Sequence, residues 1–320
     1  MPPYAFFQKQ FVPLAKAKIG IMTHALHYGT ACFEGIRGNW NADDEQVYLF
    51  RCPEHYQRLI DSCKLIMIKM PYSAEELCNL TVELVQKSGY KEDVYIRPLA
   101  YKGSEALGVR LHGLEDDFCI LVTTFGPYLD TSKGIKCSVS SWIRIDDNMV
   151  PPRGKITGLY INNAFAKTEA ILNGFDEAIM MTSQGHVSEG SGENIFLVIN
   201  GQLVTPSCTD RILMGITRDT VIQLARNELG IDTIERHVDR SELYLAEECF
   251  LTGTAAHITP VAEIDHHKVS EGTIGKITRA LQKIYFDVEC GKNKKYLHWC
   301  TPAYTGIVKE KSESQIKSIR

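Results

Sequence analysis

The sequence predicts an α+β fold built from two domains. Its 320 residues exceed the roughly 100 to 200 residues of a typical domain. Segments rich in β-branched and aromatic residues are followed by scattered helices and do not alternate with them regularly, which argues against a doubly wound sheet. Hydrophobic residues make up 44% of the chain and charged residues 23%, so the composition is that of an ordinary globular protein.

We predict a small N-terminal domain over residues 1–126, followed by a turn-rich linker over residues 127–134. The domain contains two helices, Pro53–Leu65 and Ser73–Ser88. The second helix opens with the capping box Ser73-x-x-Glu76 and ends at Gly89. The predicted strands are Tyr4–Val12, Gln46–Arg51, Asp93–Ala100 and Phe118–Thr124.

We predict a larger second domain over residues 135–300 and a tail over residues 301–320. Asn200-Gly201 predicts a tight hairpin, and Thr217 is predicted to cap the helix that it begins. The predicted strands are Ile135–Ile145, Glu177–Thr182, Ile195–Ile199, Gln202–Thr205 and Cys249–Thr252. The predicted helices are Tyr160–Leu172, Thr217–Leu229 and Ile274–Val288.

Charge and apolar patterning exclude several classes of partner. The net charge of -4 is spread without long blocks of one sign, so no basic surface for nucleic acid or an anionic membrane is predicted. Phe118–Val122 is among the longest apolar runs, far short of the ~18 residues that span a bilayer. The first 33 residues contain no arginine, unlike a transit peptide. Ten cysteines without a C-x-x-C pair predict free thiols in the cytoplasm.

Lys155 is the first candidate for chemistry. A nucleophilic lysine must be neutral part of the time, which requires burial or a cationic neighbour. Lys155 follows the helix-breaking segment Val150-Pro-Pro-Arg-Gly154, between a predicted strand and a predicted helix, where a break in the backbone would turn it into a cleft. A solvated loop lysine would have the same sequence context.

Two segments are candidate anion sites. Gly215-Ile-Thr217 opens a predicted helix, and backbone N–H groups at a helix N-terminus attract phosphate. Gly253-Thr-Ala-Ala256 follows a predicted strand, and its small residues leave backbone donors accessible to a phosphate or a carboxylate. An ordinary threonine cap and a tight turn remain the alternatives for these two segments.

Polar side chains beside glycines and on one strand face are further candidates. The glycines that flank Glu189 would let a heteroaromatic cation approach its carboxylate, although Glu189 could equally lie at the top of a hairpin. Tyr95 and Arg97 share one face of a predicted strand and offer a hydroxyl and a guanidinium to a carboxylate. An ion pair on an edge strand would give the same pattern. The histidines lack the spacing of a zinc site, so no metal site is predicted.

Eight motifs occur in one fixed order along the chain. They are Leu26-His-Tyr-Gly-Thr30, Phe33-Glu-Gly-Ile-Arg37, His55-x-x-Arg58-Leu, Tyr95-Ile-Arg-Pro98, Lys155 followed by Tyr160, Ser188-Glu-Gly-x-Gly-Glu-Asn194, Gly215-Ile-Thr-Arg218 and Gly253-Thr-Ala-Ala256. With these motifs, the chain from about Tyr4 to Val288 resembles the branched-chain aminotransferases of the class IV, fold-type IV pyridoxal-phosphate family. The resemblance implies a small α/β sandwich domain, a larger β-barrel-like domain with surrounding helices, and pyridoxal 5'-phosphate between them in a homodimer or larger homo-oligomer.

The resemblance also implies transamination between L-branched-chain amino acids and 2-oxoglutarate. Lys155 would hold the cofactor and move the substrate proton, Glu189 would pair with the pyridine nitrogen, and Tyr160 would hydrogen-bond the phenolic oxygen. The remaining cofactor contacts would come from Arg58, Leu213, Ile216, Thr217 and Thr254. The substrate contacts would come from Tyr28, Phe33, Arg37, Tyr95, Arg97, Tyr128, Gly192, Ala255 and Ala256. Either Arg37 or Arg97 would meet the distal carboxylate of glutamate, and the sequence leaves this choice open.

Other functions would use part of the same set of residues. A D-amino-acid aminotransferase or an aminodeoxychorismate lyase would share Lys155 and Glu189, but the strand Tyr95-Ile-Arg-Pro98 favours the branched-chain type. A catalytically inactive cofactor-binding or scaffold protein would not require every cofactor group that is present. A Schiff-base enzyme without a cofactor would leave Glu189 and Arg58 without a function.

Overall fold

The computed structural model of the chain describes residues 3–124, 126 and 129–304, and it confirms the predicted α+β fold. Within these residues the strands form two sheets, one of eight and one of nine strands. No helix in the described parts of the chain is both long enough and apolar enough to cross a membrane. Of the predicted linker, residues 127 and 128 lie outside the described residues.

The first sheet is antiparallel and is built almost entirely from the first 124 residues. Its strands are β1 (Tyr4–Phe7), β2 (Gln10–Pro13), β3 (Ala31–Phe33), β4 (Ile36–Asn41), β5 (Gln46–Phe50), β6 (Val94–Lys102), β7 (Asp116–Thr124) and β17 (Cys300–Pro302). Their order is β17-β5-β4-β6-β7-β1-β2, and β3 pairs with β6. Strand β17 pairs with β5, so the end of the described chain returns to this sheet and the predicted tail begins inside it.

Two helices cover one face of the first sheet, and the alternation along β6 decides which side chains meet them. The helices are α2 (Cys52–Leu65) and α3 (Ala74–Ser88), which follow the five-residue helix α1 (His24–Tyr28). Val94 and Ile96 are fully buried against α2 and α3. Tyr95 and Arg97 point to the opposite face because side chains alternate along a strand. That face is therefore available to a ligand.

The second sheet is mixed and contains the remaining strands. They are β8 (Ile135–Val139), β9 (Glu177–Met181), β10 (Val187–Gly190), β11 (Asn194–Ile199), β12 (Gln202–Thr205), β13 (Thr233–Glu235), β14 (Glu248–Gly253), β15 (His257–Ile264) and β16 (His267–Lys268). Their order is β10-β9-β8-β15-β14-β11-β12-β13, with β16 paired to β15. Strand β8 runs parallel to both β9 and β15, and β12 runs parallel to β13.

Four helices follow in the second part of the chain. They are α4 (Tyr160–Leu172), α5 (Ile216–Leu229), α6 (Glu242–Leu245) and α7 (Lys276–Glu289). Helices α5 and α7 bury Leu224, Leu281 and Tyr285 against Phe196 and Phe250 of the second sheet. This packing fixes the N-terminus of α5 relative to the ends of β11 and β14, which carry the motifs singled out from the sequence.

Most predicted elements are confirmed to within two residues at each end. Ser73 caps α3 through the predicted capping box, and Gly89 ends that helix in the left-handed conformation. Asn200 and Gly201 have the positive φ values, 51° and 71°, of a two-residue hairpin between β11 and β12. These predictions succeeded because each rests on short-range hydrogen bonding or on a backbone conformation that few residues adopt.

Three predictions were wrong. The predicted strand Tyr4–Val12 is a hairpin of β1 and β2, because Gln8 and Lys9 adopt positive φ values of 49° and 61°. The predicted strand Ile135–Ile145 ends at Val139, because the chain bends at residues 141 and 142. Thr217 does not cap α5; Gly215 does, and Thr217 lies in the first turn.

Candidate active site

A cavity lies between the two sheets, and all eight residues that the sequence predicts as cofactor contacts line it. They are Arg58, Lys155, Tyr160, Glu189, Leu213, Ile216, Thr217 and Thr254. The predicted substrate residues Tyr95, Gly192 and Ala255 line the same cavity. The two candidate anion segments and the candidate lysine, which lie far apart in the sequence, therefore share one site.

Lys155 is fixed by its backbone and by Tyr160. The Lys155 amide donates to Ser62 Oγ at 3.1 Å, and the Lys155 carbonyl accepts from the Phe33 amide at 3.1 Å. Its amino group lies 2.7 Å from the Tyr160 hydroxyl and over the Phe33 ring, 4.9 Å from the ring centre. Lys155 is thus held at the junction of the two sheets with its nitrogen directed into the cavity.

Glu189 is a buried carboxylate with three well-defined partners. Arg144 Nη2 lies 2.6 Å from its Oε1, and the Leu213 amide and Asn194 Nδ2 each donate to its Oε2 at 3.0 Å. Burial raises the pKa of Glu189, while the charges of Arg144 and Lys155 and the hydrogen bond from Leu213 oppose this shift. The site therefore contains a buried acid whose ionised form is favoured by Arg144, Lys155 and the Leu213 amide and disfavoured by burial.

The N-terminus of α5 contributes backbone donors to the cavity. Gly215 precedes Ile216 and Thr217, and a Cβ at position 215 would lie only 2.0 Å from Asn194 Oδ1. The first N–H groups of a helix have no partner within the helix and lie at the positive end of its dipole. Arg58 Nη1 donates to the Met214 carbonyl at 2.8 Å, so its guanidinium lies beside the start of α5. This end of the cavity suits an anion.

A second cavity adjoins the first one and shares Tyr95, Lys155 and Tyr160 with it. The predicted substrate residues in its wall are Phe33, Tyr95, Arg97, Gly192 and Ala255. The Arg97 guanidinium lies over the Phe33 ring at 4.6 Å and donates from Nη2 to the Tyr95 hydroxyl at 3.0 Å. Among the described residues, its buried Nε has no hydrogen-bond partner. A ligand in this cavity would meet aromatic surface and one cation.

Three predicted substrate residues lie elsewhere, and Tyr128 lies outside the described residues. The Tyr28 hydroxyl accepts from the Gly108 amide at 3.0 Å, apart from both cavities. Ala256 is buried behind Ala255. Arg37 is also buried, and its Nη1 donates to His257 Nε2 at 2.5 Å. Arg37 therefore faces the start of β15, whereas Arg97 faces the cavity.

Glu193 is a second acid in the walls of both cavities. Burial, followed by the charge of Glu177, raises the pKa of Glu193 to about 8. This upward shift favours the uncharged form of Glu193, which repels a carboxylate ligand less than an ionised acid would. Within the described ranges, no group of three or more His, Cys, Asp or Glu side chains is arranged to hold a metal ion.

Comparison with known proteins decides the family. A model of the class IV amino-transferase family matches residues 31–264. The chain belongs to this class IV aminotransferase family. A probable branched-chain-amino-acid aminotransferase of Aquifex aeolicus is 52% identical over 301 residues, which cover 94% of this chain and 97% of the relative.

Solved class IV aminotransferases have the same fold as this chain. The branched-chain aminotransferase of Thermoproteus uzoniensis, solved with norvaline, is 43% identical with a TM-score of 0.90, covering 94% of this chain and 99% of that one. The branched-chain amino acid aminotransferase of Thermobaculum terrenum, solved in its PLP form, is 40% identical with a TM-score of 0.90. It covers 95% of this chain and 99% of its own.

Two residues of this class IV site were missed from the sequence. Arg144 was placed inside a predicted strand, but the chain turns after Val139 and brings Arg144 to Glu189. Glu34 stands in the Phe33-Glu-Gly-Ile-Arg37 motif, where no role was assigned to it; it is fully buried and contacts both His55 and Arg58. The signal in the sequence was that Glu34 is an acid in the motif that directly precedes the motif containing Arg58.

Proposed function

We propose that the chain is a pyridoxal-phosphate-dependent aminotransferase that exchanges amino groups between L-branched-chain amino acids and 2-oxoglutarate. One observation supports this most strongly: Lys155, Glu189 and the N-terminus of α5 line a single cavity. A lysine amine, a buried carboxylate and an anion site match the aldehyde, the ring nitrogen and the phosphate of this cofactor. The similar enzymes solved in a PLP form and with norvaline support the same assignment.

The residues present fit the cofactor on physical grounds. Thr252 Oγ1 is buried in the cavity wall and has no hydrogen-bond partner among the described residues, so a polar group of a ligand would satisfy it. Gly215, Ile216 and Thr217 line the cavity, so the first turn of α5 is at its wall, where a phosphate could reach the free N–H groups. Arg144 and the Leu213 amide contact the Glu189 carboxylate and favour its ionised form, which is the form that would pair with a protonated ring nitrogen.

When bound, pyridoxal phosphate supplies an electron sink that makes the Cα–H bond of an attached amino acid acidic. Lys155 would hold the cofactor and would then move the proton of the substrate Cα. Tyr160, whose hydroxyl lies 2.7 Å from the Lys155 nitrogen, orients that amine and would hydrogen-bond the phenolic oxygen. Arg58, Thr254 and the first turn of α5 would bind the phosphate, and Leu213 would pack on the ring.

The adjoining cavity supports the proposed substrates. Phe33, Leu99 and Tyr160 give it an apolar wall suited to the side chains of leucine, isoleucine and valine. Arg97 would bind the distal carboxylate of glutamate or 2-oxoglutarate, because its guanidinium faces this cavity with an unsatisfied Nε. A guanidinium stacked on Phe33 is weakly hydrated, so it tolerates an aliphatic side chain in the same space.

Two further parts of the proposal concern assembly and location. Exposed apolar side chains such as Ile21, Leu26 and Val109 support a homodimer or larger homo-oligomer. Ten free cysteines, including the buried Cys32 and Cys63, support the reducing cytoplasm as the location.

The proposed reaction is tested by incubating the purified protein with pyridoxal phosphate, L-leucine and 2-oxoglutarate. We expect L-glutamate and 4-methyl-2-oxopentanoate to form in equal amounts, with D-alanine inactive as the amino donor. Turnover of D-alanine without turnover of L-leucine would instead assign the chain to a D-amino-acid aminotransferase. Absence of turnover with any amino acid would contradict the proposed function.

We expect Arg97→Leu to separate the two substrates. Loss of a charged hydrogen-bond donor costs about 1.5–3 kcal/mol, so kcat/KM for 2-oxoglutarate should fall roughly ten- to a hundredfold. The half-reaction with L-leucine, which has no distal carboxylate, should change far less. Steady-state kinetics on both substrates measures this ratio, with Arg153→Leu, an exposed arginine outside both cavities, as the control. An equal loss for both substrates would contradict the assigned contact.

A further inference from the structure

Glu34 is a fully buried acid that neither lines the cavity nor faces solvent. It lies between Phe33 and Gly35 at the junction of β3 and β4, and its carboxylate is directed toward α2. A buried charge is strongly destabilising unless it is paired and hydrogen-bonded. Its partners on α2, His55 and Arg58, therefore indicate what this carboxylate does.

The Arg58 guanidinium binds Glu34 as a two-pronged fork. Arg58 Nε lies 2.6 Å from Glu34 Oε1, and Nη2 lies 2.9 Å from Oε2. Arg58 Nη1 donates one hydrogen to the Met214 carbonyl at 2.8 Å. A guanidinium has five N–H donors, so one hydrogen on each terminal nitrogen is left for a ligand. Glu34 fixes the plane of the guanidinium. Arg58 lines the cavity, so its two remaining N–H groups are available to a ligand there.

His55 holds Glu34 from the other side. Its Nδ1 lies 2.7 Å from Glu34 Oε2. Burial lowers the pKa of His55, so the ring is neutral at physiological pH and donates through Nδ1–H. Burial alone would raise the pKa of Glu34, but the charge of Arg58 and hydrogen bonds from His55 and Arg58 hold it well below its usual range. The Glu34 carboxylate is therefore ionised and is fixed by two hydrogen bonds from Arg58, one from His55 and one from the Gly35 amide at 3.3 Å.

We propose that Glu34 is a positioning residue that fixes the Arg58 guanidinium in the orientation that binds the cofactor phosphate. This inference rests on the proposed function, because it requires pyridoxal phosphate in the cavity. It also gives a role to two residues of the sequence motifs, Glu34 and His55, that the cofactor contacts leave unused.

Two effects of Glu34 on a phosphate oppose each other. The negative charge of Glu34 repels the phosphate, but the Arg58 guanidinium lies between the two groups. The hydrogen bonds between Glu34 and Arg58, in contrast, act at contact distance. Without them the arginine side chain gains rotamers, and binding must restrict it again. We therefore expect the loss of orientation to outweigh the relief of repulsion.

The test compares cofactor affinities in the full-length protein freed of its cofactor. Dissociation constants are measured by spectrophotometric titration with pyridoxal phosphate and with pyridoxal, which lacks the phosphate. Glu34→Gln removes the charge, and Glu34→Asp keeps the charge but is one methylene too short for the same fork. Asp116→Asn is the control, because it removes the partly buried acid that pairs with the buried Lys102 in the first sheet, away from the cavity.

We expect both Glu34 variants to bind pyridoxal phosphate about ten- to a hundredfold more weakly, the range for loss of a charge-assisted hydrogen bond. Pyridoxal should bind to them as it does to the wild type, because only the phosphate contact is affected. A general loss of structure would instead weaken both ligands together, which would overturn the proposal. Unchanged or tighter binding of pyridoxal phosphate by either variant would also overturn it, while leaving the proposed function intact. A wild-type protein that does not bind pyridoxal phosphate would overturn both.

Discussion

Lys155→Ala should abolish transamination, lowering the rate of the half-reaction with L-leucine by more than about a thousandfold. The variant loses the amine that holds the cofactor and moves the substrate proton. The remaining cavity contacts, at Glu189 and at the N-terminus of α5, are untouched. Pyridoxal phosphate should therefore still bind noncovalently. Single-turnover measurement of the half-reaction, together with a cofactor titration, checks both statements.

The lysine variant has a suitable control and a rescue. Lys136→Ala removes an exposed lysine whose contact, Glu263, lies 3.5 Å away on the second sheet, and it should leave the rate unchanged. Small primary amines added to Lys155→Ala should restore part of the rate, because they supply the missing base within the space vacated by the side chain. A Lys155→Ala protein that turns over at the wild-type rate would exclude Lys155 from the chemistry.

Glu189→Gln should lower the rate of the half-reaction by about a hundredfold or more, with a smaller effect on cofactor affinity. A neutral amide does not stabilise a protonated pyridine nitrogen, so the electron sink is weakened while the phosphate contacts remain. The rate of the half-reaction with L-leucine under single-turnover conditions is the direct measurement.

The Glu189 variant requires a check of stability, because it also leaves Arg144 without its buried partner. Breaking one side of a buried ion pair commonly costs about 3–5 kcal/mol. Glu189→Asp keeps the charge near Arg144, so it should retain more activity than Glu189→Gln at similar cofactor occupancy. If Glu189→Gln stays folded and keeps the full wild-type rate, the assigned role of Glu189 is wrong.

Local signals in the sequence predicted the fold elements well. The capping box at Ser73, the left-handed cap at Gly89 and the Asn200-Gly201 hairpin are each determined by a few adjacent residues. The errors arose where distant contacts override local preference. Thr217 has the residue type of a helix cap, but the helix begins earlier: Gly215 is the cap, packed closely against Asn194, and Thr217 lies in the first turn.

Predictions about the site divide in the same way. The motif residues Lys155 and Glu189 lie together as the resemblance implied, although their chemical roles stay predictions until the variants are measured. Arg144 was missed because it follows a strand that ends earlier than its alternating pattern indicated. Arg37 and Arg97 share one face of the first sheet, and they differ in what packs there: His257 contacts Arg37, whereas Arg97 lines the second cavity. The sequence does not show these contacts, and the assignment of Arg97 to the distal carboxylate stays a prediction.

The most direct test of the proposed aminotransferase is a visible absorption spectrum of the purified protein with pyridoxal phosphate, recorded before and after addition of L-leucine. We predict a yellow band from the cofactor bound to Lys155 that disappears with L-leucine, returns with 2-oxoglutarate and is unaffected by D-alanine in a fresh sample. A protein that stays colourless after incubation with pyridoxal phosphate, or a band that responds to D-alanine alone, would contradict this account.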